Sequence, residues 1–194
     1  MVVSPVLIFA MASEVSQSVQ LSLYGTLHPF SKWMIAPVVA GLCPDFDAFR
    51  GADDAAKVLA ERGITFENRE VDDNKHYGES ITLDFIAGSD RISIRGTIAE
   101  SHLMVSRVNN FEGIYLNPEG NELFVEYEDA PGILGKIAGI LGAAGINIID
   151  IRAPQDLKNN RSLAIVKTNV AVSAELVAKI AADVNALNAF AFEY

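Results

Sequence analysis

The segment best suited to hold a ligand joins the end of a strand to the start of a helix at residues 127–137. Tyr127 and Asp129 are two residues apart at the strand end, so their side chains tend to point the same way. Together they offer a hydroxyl and a carboxylate, which suit an ammonium group and a polar side chain. Pro131 falls near the first helical turn, where its missing N–H costs little, and Asp129 is placed to cap the helix.

Glycines line one face of this helix at three- and four-residue steps: Gly132, Gly135, Gly139 and Gly142. Gly132 has no Cβ, so a ligand or a second backbone can come close to it. The free N–H groups at the helix start favour an anion such as the carboxylate of an amino acid. Glycine inside a helix costs about 1 kcal/mol relative to alanine. Close approach by another element is one reason to keep these glycines, and tight packing of the helix on its own sheet is another.

Other residues of chemical interest form no catalytic or metal-binding arrangement. The chain has no Gly-x-Gly-x-x-Gly after a strand and no Gly-x-Ser-x-Gly. The scattered histidines His28, His76 and His102 are interpreted as surface or hydrogen-bonded structural residues. Asp45 and Asp47 have the spacing of some metal or acid–base pairs, but a solvated loop or a helix cap explains them as well. We therefore expect no catalytic residue and no metal.

Composition indicates a chain with a buried core and argues against nucleic acid as a partner. The 194 residues are 50% hydrophobic and 21% charged, which allows a buried core. The net charge is −10 and no lysine or arginine precedes Lys32, so nucleic acid is not an expected partner. The single cysteine, Cys43, fits a small buried hydrophobe in a reducing compartment, and we expect a cytoplasmic location.

The apolar stretch Val2 to Ala12 is expected to be neither a signal peptide nor a membrane span. It lacks a basic n-region and has about half the length that a span needs. We interpret residues 1–16 as a packed helix, or as the remnant of one that is truncated, and we expect no membrane partner.

Residues 1–119 predict a mixed α/β domain built largely of antiparallel strands. Alternation of apolar and polar residues predicts a strand at 18–25, with others at 64–67, 80–85, 91–98 and 104–108. A helical pattern covers 30–43, with Trp33 and Met34 on its apolar stripe. Pro37 predicts a kink or a late start there. A second helix at 55–62 stops at Gly63.

A turn at 117–120 predicts a domain boundary, and residues 120–194 then follow the order βαββαβ. The strands are predicted at 123–128, 146–151, 162–168 and 188–194, and the helices at 131–144 and 174–186. This order predicts a ferredoxin-like α+β domain. Its two helices cover one face of the sheet, so the other face must bury against a second domain or a partner chain.

A family resemblance rests on Asp129-x-Pro131-Gly132-x-x-Gly135-x-Ile137 followed by Gly145-Ile146-Asn147-Ile148. This pattern resembles the ACT domain, and more specifically the ACT domain that ends the long form of D-3-phosphoglycerate dehydrogenase. Upstream, residues 18–27, 55–64 and 96–98 resemble the allosteric-substrate-binding domain of that family. The resemblance covers roughly residues 17–194.

The resemblance implies a regulatory site. ACT domains of this family pair side by side, and L-serine binds between them as a feedback inhibitor. The family positions that contact serine fall on Tyr127, Asp129 and Asn147, with Asn147 reaching across from the partner chain. We expect Asp129 to pair with the ammonium group and N–H groups near Ile133 and Leu134 to take the carboxylate. Asn147 would hold the side chain or the ammonium group.

The chain departs from the family in two respects. It has neither the Rossmann fingerprint nor the histidine–carboxylate pair that hydride transfer requires, so we expect no enzyme activity from it alone. NAD is expected only in a catalytic part outside this chain. Some relatives also hold a phosphate-type anion near the last strands of the first domain. The corresponding stretch 104–117 has Arg107 as its only base, so no second, anionic effector site is expected.

Two alternatives remain open. Residues 24–26 and 45–49 slightly resemble the β-chain of iron–sulfur L-serine dehydratase, whose Ser-Ser-Ser-His-Thr run is missing here. The chain could also be an ACT sensor of another small amino acid. The leading hypothesis gives it two partners, namely L-serine and a second copy of itself in a dimer or tetramer.

Overall fold

The computed structural model describes residues 17–43, 45–69 and 77–193. The predicted helix at Val2 to Ala12 and the residue His76 lie outside this part of the chain. Compactness divides the chain into two units between Asn109 and Asn110. The domain limit at residue 119 remains a prediction.

The first unit contains five strands of a mainly antiparallel sheet. They are β1 (Ser18–Leu23), β2 (Thr65–Asn68), β3 (Ser80–Ala87), β4 (Asp90–Ala99) and β5 (His102–Val108). Their order is β2-β1-β3-β4-β5, and only the β1–β2 pair is parallel within this set. The predicted mixed α/β character of the first domain is confirmed.

In the first unit, a proline marks the start of one helix and a glycine follows the end of the other. A 3-10 segment, Gly25–Trp33, precedes the helix α1 (Ile35–Leu42). Pro37 falls in the first turn of α1, where no N–H is needed, so the predicted late start is confirmed. Trp33 is 61% exposed, and its predicted place on an apolar helical stripe is wrong because it belongs to the 3-10 segment. Helix α2 (Ala52–Glu61) ends just before Gly63, as expected.

The two faces of the first sheet differ in polarity. Alternate residues of β1 and β3 are apolar and buried, namely Val19, Leu21, Leu23, Leu83 and Phe85. Several polar residues on the other face of β1, β3 and β4 are also buried, which is unusual for a sheet face. Those with exposed fractions below one tenth are Ser22, Ser80, Thr82, Asp84, Ser93 and Arg95.

From residue 121 onward the second unit has the predicted βαββαβ order, with one added strand of two residues. It contains β6 (Phe111–Leu116), β7 (Asn121–Glu128), α3 (Ile133–Ala143), β8 (Ile148–Arg152), β9 (Gln155–Asp156), β10 (Arg161–Thr168), α4 (Ala174–Val184) and β11 (Asn188–Glu193). Four of its strands lie in the order β11-β7-β10-β8, and the short β9 pairs with β10. Strand β6 was not predicted.

The core of the second unit lies between its sheet and its two helices. It is formed by Leu123, Val125, Tyr127, Ile137, Leu141, Ala164, Val166, Ile180 and Val184, among others. Helix α3 starts at Ile133, later than the predicted Pro131, and Gly145 follows its end with a φ of +74°. Strand β8 forms an edge of this sheet, with no strand on its outer side in the described residues. No described helix is long and apolar enough to cross a membrane.

Candidate functional site

Tyr127 sits near the end of β7 with its ring in the core of the second unit. It is 3% exposed and belongs to the same cluster as Ile137 and Leu141 of α3. Burial raises the pKa of Tyr127 above its ordinary value, and the nearby charge of Asp129 raises it further. The phenol is therefore protonated at neutral pH and available as a hydrogen-bond donor.

Asp129 is held in place through both oxygens of its carboxylate. Ser162 donates its hydroxyl proton to Oδ1 at 2.7 Å, and Gln155 donates from Nε2 to Oδ2 at 3.1 Å. Ser162 lies directly opposite Tyr127 in the β7–β10 register, so the carboxylate of Asp129 is held beside the buried phenol.

Ser162 and Gln155 were missed by the sequence analysis. Both are far along the chain from Asp129, and no spacing rule links them to it. The antiparallel registers of β10 bring them to the site, because Ser162 is paired with Tyr127 of β7 and with Gln155 of β9. A polar residue on an otherwise apolar strand, Ser162 before Leu163, was the signal available.

The predicted capping role of Asp129 is wrong. Gly132 is the N-cap of α3, with a φ of +89°, and no side chain caps this helix. The carboxylate of Asp129 is instead engaged by Ser162 and Gln155. A Cβ added to Gly132 would meet nothing within 4 Å, so glycine is explained by the left-handed backbone and not by close packing within the described chain.

The start of α3 presents unpaired backbone donors. The first i to i−4 hydrogen bond of the helix is donated by Lys136 to the carbonyl of Gly132, at 3.0 Å. The N–H groups of Ile133 and Leu134 therefore have no partner inside the helix. Such groups, together with the helix dipole, favour an anion.

Asn147 is not brought to Asp129 within one chain. It precedes β8, and β10 pairs with β8 at Thr168 but with the end of β7 at Arg161. Those two ends of the eight-residue strand β10 are roughly 23 Å apart at about 3.3 Å per residue. The N–H of Asn147 donates to the side-chain Oδ1 of Asn169 at 2.9 Å, the N–H of Asn169 donates to the carbonyl of Asn147 at 3.1 Å, and Asn147 is exposed.

The glycine face of α3 is not covered by the chain itself. A Cβ added at Gly135, Gly139 or Gly142 would meet nothing within 4 Å. Tight packing of this face on its own sheet, one of the two explanations for the glycines, is therefore wrong. Gly139 instead lines an open groove of about 580 Å³ between α3 and α4.

The other residues singled out in the sequence have structural surroundings. Asp47 accepts a hydrogen bond from the N–H of Phe49 at 2.9 Å, so it caps a 3-10 turn. The ring of His102 lies 2.8 Å from the carbonyl oxygen of Glu100. Cys43 is buried, and that burial raises the pKa of its thiol. In the ranges that the structure describes, no three His, Cys, Asp or Glu side chains gather as metal ligands would.

Comparison with known proteins defines the class of the second unit. Residues 121–185 match the ACT domain family, so this βαββαβ unit is an ACT domain. Its fold and its location at the end of the chain agree with the resemblance drawn from the motif.

The particular relatives are D-3-phosphoglycerate dehydrogenases. That of Mycobacterium leprae (strain TN) is 28% identical over 134 residues, which are 68% of this chain and 25% of the relative. That of Methanocaldococcus jannaschii is 25% identical over 126 residues, 64% of this chain and 24% of the relative. That of Bacillus subtilis (strain 168) is 23% identical over 150 residues, 76% of this chain and 28% of the relative.

This chain spans about a quarter of the length of these relatives. The resemblance to the C-terminal regulatory part of D-3-phosphoglycerate dehydrogenase is confirmed, and the ACT domain supports a regulatory role.

Proposed function

We propose that this chain is the serine-responsive regulatory part of a D-3-phosphoglycerate dehydrogenase. L-serine would bind at an interface between two ACT domains and act as a feedback inhibitor. The observation that supports this most is the fixed carboxylate of Asp129, four residues before the open start of α3. The chain itself would carry no catalytic step, and NAD would act only in a catalytic part of the same enzyme.

The two charges of an amino acid match the two ends of this site. The carboxylate of Asp129 is held in one orientation by two hydrogen bonds, so it suits the ammonium group. The N–H groups of Ile133 and Leu134 suit the carboxylate of the ligand. Tyr127 is buried beside Ser162, and its protonated hydroxyl adds no charge to the site.

A second subunit would complete the site. Strand β8 has an open outer edge, and Ile149 and Ile151 on it are 61% and 37% exposed. If two β8 edges pair antiparallel about a two-fold axis, the start of one strand lies beside the end of the other. Strand β8 runs toward the end of the sheet that holds Asp129, since Ile148 pairs with Thr168 and Arg152 pairs with Ile165, which is nearer to the Asp129 end of β10. This arrangement would place Asn147 of the partner subunit near Asp129.

Serine that bridges two subunits can control an enzyme. A ligand that touches both chains favours the interface geometry in which both sets of contacts are made. A coupling free energy of about 1–3 kcal/mol is enough for a five- to 150-fold change in affinity between linked sites.

The test is calorimetric titration of the chain with L-serine, with glycine and D-serine as controls. We expect saturable binding of about one serine per chain, in line with one site made by each Asp129. Asp129→Ala and Asn147→Ala should abolish the binding and preserve the fold, as judged by circular dichroism. Asp183→Ala, which removes an acidic residue of α4 paired only with Lys179, is the matched control and should bind serine normally.

Unchanged serine affinity in both Asp129→Ala and Asn147→Ala would overturn the site. Tighter binding of valine, phenylalanine or methionine than of serine would retain the ACT sensor and overturn serine as its ligand.

A further inference from the structure

One hairpin, residues 155–162 at the junction of β9 and β10, holds Asp129 through three hydrogen bonds. Gln155 and Ser162 donate to the two oxygens of the Asp129 carboxylate, at 3.1 Å and 2.7 Å. The backbone N–H of Asp129 donates to the carbonyl of Asn160, in the turn of the hairpin, at 2.9 Å. The position of the proposed effector carboxylate therefore depends on the shape of this β9–β10 hairpin.

The β9–β10 hairpin has little support of its own. Strand β9 contains two residues, and their partners in β10 are Arg161 and Ser162. Two-stranded hairpins are marginally stable in isolation, and so short a ladder contributes few backbone hydrogen bonds. Asn160 in the turn has a φ of +53°. The hairpin therefore needs contacts from outside to keep one shape.

Asp156 closes the hairpin and attaches it to another part of the chain. Its Oδ2 accepts from Nδ2 of Asn159 at 2.6 Å, and its Oδ1 accepts from the N–H of Asn159 at 3.3 Å. Oδ2 also accepts from Nδ2 of Asn110 at 2.9 Å, across 46 residues of sequence. The hydrogen bonds from Asn159 and Asn110 lower the pKa of Asp156 below its ordinary value. Asp156 is thus ionised at neutral pH, and hydrogen bonds to an ionised acceptor are the stronger ones.

Asn110 donates from a backbone that is itself fixed. It lies in the turn between β5 and β6 and is the first residue of the second unit. The preceding residue, Asn109, has a φ of +50° and is tied twice to Ser93 of β4. Its N–H donates to the Ser93 carbonyl at 2.7 Å, and its Oδ1 accepts from the Ser93 N–H at 2.9 Å. Asn110 is therefore a firm attachment for the side chain of Asp156.

We propose that Asn110 and Asp156 are positioning residues of the effector site and that they act on it through Gln155. Asn110 holds Asp156 and so fixes β9, and Gln155, the other residue of β9, then keeps its Nε2 on the carboxylate of Asp129. The inference rests on the proposed function, because the ligand is the amino acid whose ammonium group Asp129 binds.

The coupling works in both directions. A ligand that holds Asp129 favours the hairpin shape in which Asp156 reaches Asn110, and the Asn110 contact favours the ligand by the same factor. The effector site and the turn at 109–110 are thereby linked. Asn110 can be tested separately from the hairpin itself, since the bonds from Asn159 to Asp156 close the turn without it.

The first test is calorimetric titration of the full chain with L-serine, in the wild type and in Asn110→Ala. We expect Asn110→Ala to weaken serine binding by about three- to tenfold, at a temperature where circular dichroism shows both proteins folded. Gln155→Ala should weaken serine binding by a similar factor. The double variant should bind serine as Gln155→Ala does, because a residue that acts through another has no effect once the other is removed.

Asn185→Ala is the matched control. Asn185 ends α4 with a φ of +52°, which alanine adopts only with strain, so this variant also loses stability in the second unit. We expect its serine affinity to equal that of the wild type. A loss of serine affinity equal to that of Asn110→Ala would mean that Asn110 acts through stability alone, which overturns the proposal.

The second test needs no ligand. Hydrogen exchange of the Asp129 N–H, which is bonded to Asn160, reports how firmly the hairpin is held. We expect this exchange to be at least about threefold faster in Asn110→Ala than in the wild type. The N–H of Val177, bonded to the Ser173 carbonyl at 2.9 Å in α4, is the internal reference and should not change.

The outcomes separate this proposal from the proposed function. Unchanged exchange at Asp129 in Asn110→Ala overturns the positioning role, whether or not serine binds. Unchanged serine affinity in Asn110→Ala, or additive losses in the double variant, also overturn it and leave the serine site standing. A wild type that binds no serine, with faster Asp129 exchange in Asn110→Ala, overturns serine as the ligand and supports the positioning role. If Asn110→Ala does not fold, Asn110→Ser, whose side chain is too short to reach Asp156, takes its place.

Discussion

At the scale of single residues, the site depends on how firmly one carboxylate is held. Asp129 alone could adopt several rotamers at the end of a strand. Ser162 and Gln155 bind one oxygen each and leave one orientation. The Asp129 side chain therefore loses its conformational entropy during folding and not when a ligand binds. This favours ligand affinity.

Ser162→Ala tests this positioning role. Loss of the hydroxyl frees Oδ1 of Asp129, so we expect serine affinity to fall by about three- to tenfold and the free energy of unfolding to fall by about 1 kcal/mol. The measurements are calorimetry with L-serine and urea denaturation.

Ser173→Ala is the control for this variant. It removes the hydroxyl that accepts from Leu176 N–H at the start of α4, so it should cost about 1 kcal/mol of stability and leave serine affinity unchanged. Equal losses of serine affinity in the two variants would mean that Ser162 acts only through stability.

At the scale of elements, the turn between β7 and α3 is decisive. It must bring the chain from a buried strand into a helix whose first N–H groups remain available. Gly132 makes this turn in the left-handed region, where other residues are strained. The glycines further along α3 have ordinary helical backbones and open surroundings, so their cost has no compensation within the chain.

Gly132→Ala should lower the free energy of unfolding by about 1–2 kcal/mol because alanine must adopt a positive φ. Gly135→Ala should instead raise it by about 0.5–1 kcal/mol, since it replaces glycine inside a helix where a Cβ meets nothing. Urea denaturation of the two variants beside the wild type measures both effects. A stability gain in Gly132→Ala would contradict the role assigned to its backbone.

At the scale of the whole molecule, the open edge of β8 is the feature that a single chain leaves incomplete. An exposed strand edge with isoleucines on it is a natural site of strand pairing. The proposed serine site depends on that pairing, because Asp129 and Asn147 lie at opposite ends of one sheet.

Ile149→Lys should weaken self-association by at least about tenfold, because it puts a charge on the apolar strand edge that the pairing would bury. Sedimentation equilibrium measures this change, and serine binding should be lost in parallel. Leu157→Lys is the control, since Leu157 is 83% exposed and lies off strand β8. A dimer that persists unchanged in Ile149→Lys would place the interface elsewhere.

The sequence was enough to predict the parts of the fold that depend on neighbours along the chain. The βαββαβ order followed from alternation, helical spacing and the glycine after α3, since each reflects local geometry. Strand β6 and the 3-10 segment before α1 were not predicted, since Gly113 interrupts the strand pattern and Pro29 lies inside the 3-10 segment.

The sequence by itself determined which residue types surround the proposed effector site, whereas the tertiary structure decided what they do there. Tyr127, Asp129 and the start of α3 are close along the chain, so a motif could indicate them. The engagement of Asp129 by Ser162 and Gln155 depends on strand register. Register is fixed by the packing of whole sheet faces, which no local pattern contains.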